Sequence, residues 1–168
     1  TWPDLYYHTS QDRADKCDPT QMKRVCVIAA AAAYTIAGAD EDMTLKIASE
    51  VAGNASGRIG AQLPRATDLL AGADAGTFRD MWFRGYRYIE AAVLNEKATI
   101  RSVGELGPGN AGDFIPGYID NIEETGKASL AGFILYADQK ARLLGLEPLK
   151  YSLSPEEKKA SKTVPSIT

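Results

Sequence analysis

Tyr7-His8-Thr9-Ser10-Gln11-Asp12 is the stretch of this 168-residue chain whose side chains could hold a metal, and His8 is its only histidine. A neutral imidazole binds zinc through one ring nitrogen, while the other normally donates to a carboxylate or carbonyl that fixes the ring. Asp12 lies close enough in sequence to serve as that brace, or to brace the turn. Tyr7 carries a phenolic O–H able to donate to a developing oxyanion. One imidazole does not make a zinc site, which takes three or four protein donors. His8 therefore needs ligands that the rest of this sequence does not supply.

These residues stand in an opening segment, 1–16, where Pro3 and the Tyr6-Tyr7 pair sit among polar residues without helical period. Next comes a helix start. Asp18 is a good N-cap and Pro19 fits the first helical position, where its missing N–H costs nothing. The helix runs through Met22, Val25, Cys26, Ile28 and the alanine run to about Ala37, and Gly38 ends it. Cys26, in this apolar run, reads as a small core residue.

Asp40 to Asp42 start a second helix with acids at its positive end, and Leu45, Ile47, Ala48, Val51 and Ala52 form its stripe. Gly53, Gly57 and Gly60 either build a small-residue packing groove or fray the helix, and Pro64 marks a kink or stop. Phe78, Met81, Trp82, Gly85, Ile89, Ala92, Val93 and Leu94 give the clearest three-four spacing. A further helix spans about Asp113 to Leu144, with Gly126 as an interruption in its middle. Ser154-Pro155-Glu156-Glu157 is another helix-start signal, followed by a polar tail from Lys158. No period-two alternation is long enough for a strand. The fold class is mainly α: an antiparallel helical bundle preceded by a short loop segment.

Composition narrows the function. With 45% hydrophobic residues and a net charge of −3, the chain suits a globular unit and lacks the basic footprint of a nucleic-acid binder. Its most apolar run, Val25 to Ala33, is too short to span a bilayer. Cys17 and Cys26 fit neither a zinc-knuckle nor a redox-pair spacing. Gly107-Pro108-Gly109-Asn110-Ala111-Gly112 matches the three-glycine dinucleotide pattern but has no strand before it, so it reads as an inter-helix loop. Trp82, Tyr86 and Tyr88 with Arg84 and Arg87 read as packing rather than a stacking surface for bases.

The opening resembles the last conserved block of the di-zinc aminopeptidases, a family that includes bacterial leucyl aminopeptidases, glutamate carboxypeptidase and the inactive transferrin receptor ectodomain. The resemblance covers about Trp2 to Ala37 and rests on Tyr7-His8-Thr9-Ser10-Gln11-Asp12, then Asp18-Pro19-Thr20 and the alanine-rich helix. It implies that His8 is a zinc ligand, Tyr7 the tyrosine that stabilises the tetrahedral intermediate, and Asp12 a structural aspartate beside the ligand. Arg13 stands where the family usually has threonine. The family's other ligands and its glutamate general base precede this block.

The resemblance therefore implies the C-terminal portion of a larger α/β zinc exopeptidase, inactive alone. Residues 1–38 would close the catalytic domain and 39–168 form a helical C-terminal domain. Zinc would be shared with ligands from the missing N-terminal portion, and the parent would act on a peptide substrate, secreted or periplasmic as family members are. A second reading is a non-catalytic helical module for homodimerisation or interaction. A third is a small-molecule-binding bundle using Trp82, Tyr86 and Tyr118. Neither nucleic acid nor membrane is expected as a partner.

Overall fold

The computed structural model of the chain describes residues 5–106, 113–152 and 158–159. Its helices are α1 (Pro19–Ala37), α2 (Glu41–Gly60), α3 (Gln62–Ala71), α4 (Phe78–Val103) and α5 (Ile115–Leu143), with a short 3-10 turn at Ala14–Lys16 before α1. No strand occurs among the described residues. The Gly107–Gly112 motif and the Ser154–Glu157 helix start lie outside them.

The helix starts follow from the caps. Asp18 Oδ1 accepts from the Thr20 and Gln21 amides at 2.8 and 3.3 Å, and Pro19 follows at N1. Asp40 Oδ1 accepts from Met43 N at 2.9 Å. Each bond satisfies an amide that lacks an intrahelical acceptor. Ahead of α4, Asp74 Oδ1 accepts from both Thr77 N and Thr77 Oγ1, and these bonds hold its carboxyl below the usual carboxylate range. Past the end of α5, Gly145 turns left-handed at φ +70°, Leu146 N reaches Ala141 O at 2.9 Å and Gly145 N reaches Arg142 O at 3.1 Å. This double closure is the glycine-terminated helix end expected of such a turn.

The buried residues of α5 recur every three or four positions: Ile122, Gly126, Ser129, Phe133, Ala137 and Ala141. Those of α2 do the same, through Thr44, Ala48, Ala52, Ala55 and Ile59. The stripes close into two linked cores. At one end Ala48, Ala52, Ala55 and Ile59 of α2 meet Ile100 and Val103 of α4 and Ile115 and Ile122 of α5. At the other, Ala66 and Leu70 of α3 meet Phe78, Trp82 and Ile89 of α4 and Phe133, Ala137 and Ala141 of α5. The column α2–α3 thus runs from the first core to the second, α4 returns and α5 runs out again. This is an up-down-up bundle in which the first column is broken at Ala61.

Gly126 does not interrupt α5. An added Cβ there would lie 2.4 Å from Val93 Cγ2, so the glycine lets α4 and α5 approach. Gly53, Gly57 and Gly60 are not packing glycines, because a Cβ at any of them meets nothing within 4 Å. Pro64 marks a stop: α2 ends at Gly60, whose carbonyl Pro64 has no N–H to bond, and α3 restarts at Gln62 with Pro64 in its first turn.

Polar bonds pin the columns to one another. Arg58 donates from Nε and Nη2 to the Glu96 carboxylate, both at 2.7 Å, joining α2 to α4. Lys97 pairs with Glu123 between α4 and α5. Lys140 Nζ caps the α3 carbonyl of Ala71 at 3.1 Å.

α1 stands apart. Among the described residues it makes no packing contact with any other helix, and none of its residues is buried. Cys26 is exposed rather than a core residue, because nothing packs on the helix that carries it, and neither it nor Cys17 is disulfide-bonded.

Candidate functional site

The candidate residues share one exposed loop immediately ahead of α1. Two consecutive turns shape it. Thr9 N donates to Tyr6 O at 2.9 Å, and Asp12 N donates to Thr9 O at 3.1 Å. The Thr9 hydroxyl reinforces both: Oγ1 donates to Tyr6 O at 2.7 Å and accepts from Gln11 N at 3.2 Å. Ser, Thr and Asx side chains commonly close turns by such local bonds. Downstream, the Lys16 ammonium lies 5.1 Å from the centre of the Tyr6 ring, a cation–π distance.

His8 occupies the third position of the first turn with φ +59°. Among the described residues it is the non-glycine with positive φ, a conformation that costs a non-glycine residue roughly 1–2 kcal/mol. Its ring packs against Tyr7, with centroids 4.0 Å apart and planes inclined at 53°. The loop thus presents the phenol and the imidazole side by side. Asp12 enters the same loop through its backbone. Among the described residues no hydrogen bond joins its carboxylate to the His8 ring.

Chemically, the candidate residues of the loop are one imidazole, His8, one phenol, Tyr7, and one carboxylate, Asp12, with the Tyr6 phenol beside them. Among the described residues no group of three or more His, Cys, Asp or Glu side chains is placed to hold a metal ion. These residues do not by themselves fit a zinc site, and no catalytic step through zinc follows from them. A polar hollow of about 250 Å³ downstream in the loop, lined by Gln11, Arg13, Asp15 and Lys16, contains neither Tyr7 nor His8.

Two hollows on the bundle carry charged side chains: one of about 540 Å³ is lined by Gln62, Arg65, Asp68, Leu69 and Tyr88, and one of about 200 Å³ by Glu90, Lys97, Glu123 and Lys127 among others. A groove of about 510 Å³ between α2 and α5 is lined by Leu45, Ser49, Gly53, Phe114, Tyr118 and Asn121 among others, with no carboxylate, amine, guanidinium or imidazole. The aromatics proposed as a ligand site do not converge. Trp82 stacks on Tyr86, with Tyr151 beyond it, in one core, while Tyr118 packs on Phe114 against the other. Burial, then Glu90 and Tyr151, push the Tyr86 hydroxyl above its ordinary range, which keeps it neutral. No helix among the described residues is long and apolar enough to cross a membrane.

Thr9 escaped the sequence reading. Its signal was its place directly after the histidine, where a hydroxyl reaches the backbone on either side. Comparison with known protein families, curated proteins and solved structures finds no match for this chain.

Proposed function

We propose that this chain is the C-terminal portion of a zinc-dependent exopeptidase. His8 serves as one metal ligand, Tyr7 as hydrogen-bond donor to the oxyanion and Asp12 as a structural aspartate. The remaining ligands come from polypeptide outside this sequence. The observation that carries the reading is the condition of α1. Val25, Val27, Ile28, Tyr34 and Ile36 are 63, 68, 69, 83 and 54% exposed, and they lie on several sides of the helix. A helix apolar all round belongs in the interior of a larger structure, and the bundle behind it closes its own cores without it. The loop carrying Tyr7 and His8 precedes this uncovered helix, with the turn Ala14–Lys16 between them.

The test is zinc content. The chain is produced as part of its complete open reading frame, and bound zinc is measured in wild type and His8→Ala. Loss of zinc from the variant, with the bundle still folded by circular dichroism, is expected. Unchanged zinc in His8→Ala overturns the reading.

A further inference from the structure

We propose that Thr9 is a positioning residue for the site. Its hydroxyl holds His8 in the left-handed conformation and so presents the imidazole beside the Tyr7 ring. The functional meaning of this arrangement rests on the reading of His8 as a ligand; the arrangement itself does not. Left-handed backbone is unfavourable for histidine and needs a local restraint. Every residue from 5 to 38 is exposed, so burial in the bundle does not supply it. The restraint at hand is Thr9, whose amide and hydroxyl both donate to the Tyr6 carbonyl, at 2.9 and 2.7 Å. Thr9 Oγ1 also accepts from Gln11 N at 3.2 Å, so one hydroxyl ties the turn before it to the turn after it. The turn puts a positive φ at its third position, a place that glycine or asparagine normally takes. Here a ring-bearing residue takes it, and the rings of positions 7 and 8 meet at 4.0 Å. If the hydroxyl is lost, the closure loses two of its four bonds and His8 relaxes to negative φ, carrying its ring away from Tyr7.

The experiment uses the full 168-residue chain in solution with no metal. Positive φ brings an amide proton close to its own Hα, which gives a strong intraresidue nuclear Overhauser cross-peak. Ring contact with Tyr7 shifts the His8 imidazole protons. The wild type is expected to show both signatures at His8. Thr9→Ser, which retains the hydroxyl, keeps them; Thr9→Val, which has the same shape without it, loses both. Retention of the strong cross-peak in Thr9→Val overturns the proposal, as does its absence from the wild type or its loss in Thr9→Ser. None of these readouts depends on zinc, so a failure here and a failure of the metal-ligand reading are separate results.

Discussion

At the scale of single residues, glycines show how closely the bundle columns approach. Gly85 on α4 faces the Phe133 ring, and a Cβ there would sit 2.7 Å from Phe133 Cε2 and 3.1 Å from the Ala66 carbonyl oxygen. Phe133 is fully buried and has no free direction in which to retreat. Gly85→Ala is therefore expected to destabilise the bundle by about 1–3 kcal/mol through overpacking, less about 1 kcal/mol of helix propensity gained. Gly57→Ala, where nothing obstructs the new methyl, should stabilise by up to about 1 kcal/mol; urea denaturation of both variants checks the opposite signs. Glu96 makes a pH prediction. The bidentate Arg58 bond, working against burial, holds its carboxyl below the ordinary value of 4.5. A carboxyl depressed on folding contributes stability that is full above its unfolded value and disappears as pH falls through its folded one. Glu96→Gln should thus lower stability by a constant amount above about pH 4.5, and the gap should close on further acidification. The gap stays modest because the Arg58 side chain is 52% exposed and solvent screens it. A wild-type-to-variant difference that persists unchanged to low pH contradicts this assignment.

At the scale of elements, what was legible in the sequence is what local physics decides. Asp18 and Pro19 announce α1 because a cap and a proline act within one turn. The Phe78, Trp82, Gly85 and Ile89 spacing announces α4 because burial on one face enforces the period. Gly126 was misread because a glycine that breaks a helix and one that admits a neighbour look alike until Val93 is placed against it. Cys26 was misread because an apolar helical run identifies a buried face only when another element is present to bury it. The candidate site was legible in its residue types, while its shape, a left-handed His8 held by Thr9, depends on a turn that periodicity does not report. The separation of α1 makes a prediction of its own. An isolated helix of its length is marginal in water, and among the described residues no other helix packs on α1. Its amides should exchange with solvent with little protection, while those at the centres of α4 and α5 exchange only on global unfolding. Hydrogen exchange read by mass spectrometry checks this, and protection of α1 equal to that of α5 would mean that the chain buries it.

At the scale of the whole molecule, charge and apolar surface pull in opposite directions. A net charge of −3 gives only weak mutual repulsion. α1 itself carries Lys23 and Arg24 near its start and no acid, and from Val25 onward its surface is uncharged and largely apolar. An exposed apolar patch on a protein of this size marks an interaction site or an aggregation liability. The rest of the molecule from Ala39 onward holds both cores and does not use α1. The chain taken alone should therefore associate in a concentration-dependent, open-ended way, and a shortened chain starting at Ala39 should be a monomer with its melting transition intact. The two readings of the protein diverge at this point. If the helical domain were a homodimerisation module, the shortened chain would form a discrete, saturable dimer through the bundle. If α1 is instead a helix made to be covered by the rest of an exopeptidase, association disappears with α1, and it is also suppressed when α1 is present within the complete polypeptide. Light scattering across a concentration series on the three proteins separates these outcomes. A stable dimer of the shortened chain would move the interface from α1 to the bundle and leave the exposed helix without the partner proposed for it.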